Sequence, residues 1–314
     1  MSQITLFRIA GGKAAELPSS ASDLEKPLQT LIEDNLDALL GIRFLATEYS
    51  TGKTHAGRID TLGVDENDCP VILEYKRSAG ENVINQGLFY LDWLMDHQAE
   101  FKLLVLERYG KESAEAIDWS APRLICIASD FTRYDGHAVQ QINRNIELVR
   151  YRKFGSELLL LELVNAVSAK AKAPGAKGAT NNTTASAGKK GTGKDKTAAQ
   201  WLADLSPAVA SMFATLEGYA MSLGDDVQRK DLRLYVVFKR LKNFVSVVFQ
   251  RDRLVLYLRL DPDTVELRQG FSRDVRQIGH WGTGDLELSI GDAAGLERAK
   301  PLIALAYEGG RRAG

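Results

Sequence analysis

Leu24, Leu28, Leu31, Ile32, Leu36 and Leu39 recur three and four residues apart, which predicts an amphipathic helix with one apolar stripe. Ser22-Asp23-Leu24-Glu25 opens it, Pro27 is tolerated in its first turn, and Gly41 closes it. Three extended segments follow: Ile42–Tyr49, His55–Val64 and Pro70–Lys76. Asp65-Glu66-Asn67-Asp68-Cys69 is dense in turn formers, so the second and third segments are predicted as an antiparallel hairpin. A helix over about Asn82–Gln98, a strand over Arg123–Ser129, a short helix near His137–Asn145 and two strands ending in LLLLELV complete a mixed α/β unit.

The pattern then lapses. Residues 166–197 consist mainly of Ala, Gly, Lys, Ser and Thr, with no aromatic or large aliphatic residue after Val167. Such a segment cannot bury enough apolar surface to offset the entropy of ordering, and is predicted as a flexible linker reaching about 30 Å. Periodicity returns at 198–222 as a helix kinked or restarted at Pro207. Strands at Arg233–Phe238, Phe244–Gln250 and Arg253–Leu260 and a last helix from Asp292 to Tyr307 make a second, smaller α+β domain. The predicted organisation is 1–165 as one folded unit, 166–197 as the linker and 198–314 as the second unit.

Charge sharpens this division. The net of -1 is the sum of -8 over residues 1–165 (17 basic, 25 acidic), +6 over 166–197 (seven basic, one acidic) and +1 over 198–314 (16 basic, 15 acidic). The seven linker lysines suit a solvated spacer or loose contact with a polyanion. No apolar run approaches the roughly 18–20 residues of a membrane span, so no membrane partner is expected. The first residues, MSQITLFRIAGGK, lack the pattern of a secretory signal. Two cysteines, Cys69 and Cys126, make neither a disulfide scaffold nor a CxxC metal site, and the expected setting is a reducing cytoplasm.

The hairpin carries the candidate chemistry. Alternation puts Ile72, Glu74 and Lys76 on one face of their strand, and Arg58, Asp60 and Leu62 together on the neighbouring one. If Val64 pairs with Pro70 across the five-residue turn, Asp60 stands opposite Glu74. Facing carboxylates repel. A hard divalent cation, Mg²⁺ or Mn²⁺, compensates best, being held by one or two carboxylates plus water and substrate phosphates. Lys76 points to the same side, where it could polarise water or offset charge developing on phosphorus. The competing reading is that Glu-x-Lys on a strand is a solvated face. Arg43, Lys53, Arg58, Lys76 and Arg77 cluster in sequence around the pair as a candidate basic rim that offsets the acidity of the unit.

Gly57-Arg58-Ile59-Asp60, thirteen intervening residues and Glu74-Tyr75-Lys76 resemble the signature of the PD-(D/E)XK nuclease superfamily. In particular they are similar to the catalytic domain of the archaeal and actinobacterial mismatch endonucleases of the NucS/EndoMS type. Gln86-Gly-Leu-Phe-Tyr90 matches the Q-x-x-x-Y helix motif of many such nucleases, and Glu33 stands where they often carry a further acid. The resemblance covers roughly residues 20–130. It implies a restriction-endonuclease-like αβββαβ core and metal-dependent phosphodiester hydrolysis. On that likeness Asp60, Glu74 and Glu33 are metal ligands, Lys76 assists the attacking water, and Gln86 orients Lys76 or a phosphate. Tyr90 is a candidate nucleic-acid contact or a core residue, and Glu48 is the lower-ranked choice for the third acid. Ahead of the core, mismatch endonucleases carry a DNA-binding, dimerising β-domain where this chain has about twenty residues. Mismatch recognition is therefore not implied.

The second unit is expected to bind nucleic acid or a partner, or to be an ordinary α+β domain with solvated faces. Residues 227–276 hold twelve basic and six acidic residues, interleaved with Tyr235, Phe238, Phe244 and Tyr257. This half resembles a small domain of unknown function that occurs alone or appended to other modules. The resulting expectation is a metal-dependent DNA endonuclease of repair or of defence. The alternative is a nucleic-acid-binding or interaction protein with a non-productive nuclease-like core. Nothing in the sequence reads the sugar, so RNA stays open as a substrate, and a homodimer is compatible with a duplex that presents two strands.

Overall fold

The structure, a computed structural model, describes residues 4–20, 25–52, 56–76, 83–167 and 196–309. The chain divides into two compact units, residues 1–169 and 170–314. Most of the segment read as a linker, the opening of the first helix at Ser22, and the candidate rim residues Lys53 and Arg77 lie outside the described residues.

The first unit is a mixed α/β domain. An N-terminal hairpin, β1 (Leu6–Ala10) and β2 (Lys13–Leu17), is followed by the two-residue strand β3 (Ser19–Ser20). The sequence reading missed this hairpin; its apolar residues are mostly exposed, so no buried face marks it. Leu28, Ile32, Leu36 and Leu40 are buried along one stripe, as the periodicity requires. The expected single helix is instead two, α1 (Glu25–Asp34) and α2 (Leu36–Leu40), broken at Asn35. Gly41 caps α2 with φ 65°, where a side chain would be strained.

Strands β4 (Ile42–Ser50), β5 (Arg58–Asp65) and β6 (Pro70–Lys76) form an antiparallel meander. β6 then runs parallel to β7 (Arg123–Ala128), and β7 runs parallel to β8 (Asn145–Phe154). β9 (Leu158–Val167) folds back on β8, and the sheet order is β3-β8-β7-β6-β5-β4 with β9 alongside β8. Helices α3 (Val83–Asp96), α4 (Gln98–Ala116) and α5 (Arg133–Gln140) occupy the crossovers between β6, β7 and β8. Nineteen-residue α4 was not foreseen. Its buried residues, Phe101, Val105 and Ala114, are sparse among charges, and Gly110 at φ 84° interrupts it.

Arg123 lies fully buried at the start of β7. Its guanidinium makes two bonds to Glu147 (2.9 and 2.8 Å) and one to Asp65 (2.9 Å). Asp65 in turn accepts from the N–H groups of Asn67 and Cys69 (2.9 and 3.0 Å), so the β5–β6 turn is fastened to the neighbouring parallel strands.

The second unit is an antiparallel sheet with helices on one face. β10 (Gln228–Asp231), β11 (Val236–Lys239), β12 (Asn243–Phe249), β13 (Leu254–Leu258), β14 (Ser272–Asp274) and β15 (Leu286–Ile290) adopt the order β10-β11-β12-β13-β15-β14. The single kinked helix expected over 198–222 is two helices, α6 (Ala198–Asp204) and α7 (Pro207–Ser222), with Pro207 in the first turn of α7 and Ser206 as its cap. Asp292 caps the last helix, α8 (Ala293–Tyr307), accepting from the Gly295 N–H at 2.6 Å. Phe213, Leu216 and Ile303 pack against Phe238, Phe249, Leu256 and Leu288. Among the described residues no helix of either unit is long and apolar enough to cross a membrane.

Candidate active site

Val64 pairs with Pro70 and Thr61 with Leu73, the register counted from the five-residue turn. One step further on, the ladder opens and two carboxylates take over its hydrogen bonds. The Asp60 N–H donates to Glu74 Oε1 at 3.2 Å, and the Tyr75 N–H donates to Asp60 Oδ2 at 3.0 Å. The two acids therefore face each other at the carboxyl end of β6. In open α/β sheets, ligands bind outside the carboxyl ends of the parallel strands.

Glu74 is wholly inaccessible, and its second oxygen, Oε2, has no hydrogen-bond partner among the described residues. A buried acceptor left unpaired costs about 1–3 kcal/mol. Burial first, and the charge of Asp60 second, push its pKa up to about 9. At neutral pH and without a cation this carboxyl keeps its proton. Burial also raises Asp60, against the pull of the Tyr75 N–H and the Lys76 ammonium. Lys76 is largely buried, with Nζ 3.8 Å from Glu25 Oε2 on α1.

The remaining candidates are dispersed around this pair. Arg58 opens β5, and its Nε lies 2.9 Å from Glu48 Oε2, while Lys26 holds the other oxygen of Glu48 at 3.0 Å. Glu48 itself sits at φ 49°, a strained conformation for a side-chain-bearing residue, and its charge raises the pKa of both Asp60 and Glu74. Gln86 donates to the Tyr90 hydroxyl (3.3 Å), which accepts from the Arg58 N–H (3.1 Å). The Q-x-x-x-Y motif thus meets the GRxD motif through the backbone entering β5.

Two expectations need correction. Glu33 accepts from Thr61 Oγ1 at 2.5 Å and Gln29 Nε2 at 2.9 Å. Thr61 follows Asp60 and so points to the opposite face of β5, and Glu33 goes with it rather than with the carboxylate pair. Helical spacing identified the stripe of α1 but not which side of the sheet Glu33 would meet. Arg43 does not join a rim around the site either. It pairs with Val64, which puts it at the turn end of the hairpin, bonded to Asp68 at 2.6 Å.

Gln29 is the site residue that the sequence reading missed. It is buried, and its Nε2 lies within hydrogen-bond reach of the Asp60 carbonyl (2.8 Å), Thr47 Oγ1 (3.1 Å) and Glu33 Oε1 (2.9 Å). Its position one turn before Glu33 on the apolar stripe of α1 was the available signal.

The chemistry of the pair fits a hard cation. Two facing carboxylates, one with an unpartnered buried oxygen, match an ion bound by one or two protein carboxylates and otherwise by water or phosphate. A site made wholly of protein ligands is not formed: among the described residues no three His, Cys, Asp or Glu side chains group to hold a metal.

In the second unit the basic residues and aromatics do not form one interleaved face. Phe238 and Phe244 belong to the core under the helices. Tyr257 lies on the other face, its ring stacked 4.1 Å from that of His280. Much of the positive charge is matched: Arg273 binds Glu287, Arg229 binds Glu217 and Asp231, and Arg276 binds Asp263 and Asp274.

Residues 198–309 match a domain family described as a domain of unknown function, DUF5655. Over 303 residues the chain is 27% identical to an uncharacterized protein of Haemophilus influenzae, covering 95% of this chain and 97% of that protein. Two solved structures overlap it partially. One is the crystal structure of a repair endonuclease from Pyrococcus abyssi (22% identity, TM-score 0.28, 42% of this chain and 48% of that one). The other is a complex of EndoMS with dsDNA (20% identity, TM-score 0.26, 39% and 43%). The chain thus spans about half the length of these structures, and likenesses at such TM-scores carry no functional argument.

Proposed function

We propose that the first unit is a metal-dependent nuclease hydrolysing phosphodiester bonds in DNA, with Asp60 and Glu74 as the ligands of Mg²⁺ or Mn²⁺. The observation that carries this reading is the unpartnered, buried Oε2 of Glu74 facing Asp60 where the β5–β6 ladder opens. A structural core gains nothing from an acid that must keep its proton. A divalent cation, when bound, would polarise a phosphate oxygen and lower the pKa of a bound water.

The chain's own groups supply the rest. Lys76, two residues beyond Glu74 on the same face, sets an ammonium where negative charge would build on the phosphate oxygens. The Tyr75 N–H fixes Asp60 by bonding one of its oxygens, and Gln29 fixes the backbone of the same residue. Glu25 and Glu48 hold Lys76 and Arg58 in place until a phosphate competes for them. Gln86 bonds Tyr90, which accepts the Arg58 N–H at the entry of β5.

The test is nicking and linearisation of plasmid by the full chain with Mg²⁺ or Mn²⁺, beside Lys76→Ala and a chelator control, with single-stranded DNA and RNA as further substrates. Cleavage that needs the metal and vanishes in the variant supports the reading. Equal inactivity of both proteins on every substrate overturns it in favour of a binding protein with a non-productive core.

A further inference from the structure

Two exposed cations beside the carboxylate pair share one acid. Glu48 Oε1 accepts from Lys26 Nζ at 3.0 Å, and its Oε2 lies 2.9 Å from Arg58 Nε. Lys26 comes from α1 and Arg58 from the start of β5, and their side chains are 57% and 67% exposed. Among the described residues neither has a second acidic partner; the other bond of Lys26 goes to the neutral Gln29 Oε1 at 3.3 Å. Glu48 holds this place at φ 49°, a left-handed backbone that costs a side-chain-bearing residue and persists where surrounding contacts impose it. The position adjoins the site. Glu48 lies between Thr47, paired with Thr61, and Tyr49, paired with Ile59, and so stands beside Asp60. Arg58 shares a face of β5 with Asp60, about 7 Å along the strand, a separation close to that of neighbouring phosphates on one DNA strand. Gln29 completes the link, since its Nε2 bonds the Asp60 carbonyl at 2.8 Å.

We infer that Lys26 and Arg58 form a phosphate subsite for the DNA strand held at Asp60 and Glu74, and that the Glu48 carboxylate fills this subsite until DNA displaces it. The inference rests on the reading of that pair as a nuclease centre and adds to it a defined contact for the substrate. An ammonium and a guanidinium that each bond one oxygen of a carboxylate can bond two oxygens of a phosphate in the same way. The exchange is feasible because exposed ion pairs are weak, whereas each DNA phosphate neutralised by a cation also releases counterions. Removing the charge of Glu48 leaves both cations without an acid, so Glu48→Gln tightens DNA binding. That sign separates a competitor for the subsite from a third metal ligand, whose loss lowers cleavage and does not tighten binding.

The experiment is fluorescence anisotropy of a labelled DNA duplex titrated with the full chain in chelator over a range of KCl, with plasmid cleavage in Mg²⁺ measured alongside. Glu48→Gln is expected to bind about three- to fivefold tighter than wild type. Lys26→Ala/Arg58→Ala is expected to bind more weakly, with the slope of log affinity against log salt reduced by about 1, the loss of one phosphate contact. In that double-alanine background the gain from Glu48→Gln should vanish, because the acid has nothing left to compete for. Glu115→Gln, which removes the acid of an exposed ion pair with Lys111 on α4, should leave the affinity unchanged. Unchanged or weaker binding by Glu48→Gln overturns the inference, and so does a gain that persists without both cations or that Glu115→Gln reproduces. A wild type that binds no DNA overturns it as well. Binding with the expected pattern but no cleavage upholds the subsite and overturns the nuclease reading; cleavage without the pattern does the reverse.

Discussion

Gly57 and Tyr90 touch because Gly57 has no side chain: a Cβ at position 57 would stand 2.5 Å from Tyr90 Cε1. The same tyrosine accepts the Arg58 N–H, so one aromatic residue of α3 fixes where β5 begins. Gly57→Ala should cost about 1–3 kcal/mol through overpacking. Tyr90→Phe, which removes only the hydroxyl, should cost about 1 kcal/mol. Urea unfolding of both variants and of Gly57→Ala/Tyr90→Leu checks this. The cost of the glycine substitution should shrink when the ring is gone, and strict additivity would refute the contact.

Arg123 bonds two buried carboxylates from different strands. Removing one partner of such a group strands the others, so Arg123→Met should destabilise by about 3–5 kcal/mol. Thermal and urea unfolding measure the loss. Cleavage by the fraction still folded should be unchanged, since the triad sits at the turn end of the hairpin.

Glu74 gives a signed pH dependence in metal-free protein. Its carboxyl titrates near 4.5 ordinarily and near 9 in the fold. Between those values the folded state binds the extra proton, so stability contributed by Glu74 is whole below about 4.5 and drains away as pH rises through 9. Glu74→Gln, which cannot ionise, should lose less stability over that interval. Melting temperatures of both proteins in chelator from pH 5 to 9 decide it; parallel curves would contradict the shift.

Divalent cations should reverse that trend. Mn²⁺ bound by the folded state alone raises the melting temperature with concentration. The rise should be greatest at alkaline pH, where Glu74 gives up its proton most readily, and absent in Asp60→Asn/Glu74→Gln. An equal rise in that double variant would place the cation elsewhere.

The sequence makes the hairpin legible because its geometry is countable. A five-residue turn and period-two alternation bring Asp60 opposite Glu74 without any knowledge of the rest of the fold. Other positions depend on information that is not local. Whether Glu33 meets Asp60 or Thr61 is set by the rotation of α1 against the sheet. Phe238 and Phe244 flank the basic stretch Lys239–Lys242, yet they belong to the core beneath α7 and α8. α4 escaped notice because long-range packing of a few residues, rather than a continuous stripe, holds it. β15, inserted between β13 and β14, follows a stretch of glycine and polar residues and is only five residues long.

The Asp65–Cys69 turn joins two tasks in one short segment. It sets the register that brings Asp60 to Glu74, and through Asp65 it is moored to Arg123. Inserting or deleting one residue there would turn every side chain of one strand to the other side of the sheet relative to its partner. An insertion would set Leu73, and a deletion Tyr75, where Glu74 stands, and the mooring would be broken in the same event. Descendants of this chain are therefore free to change residues in the turn far more readily than to change its length.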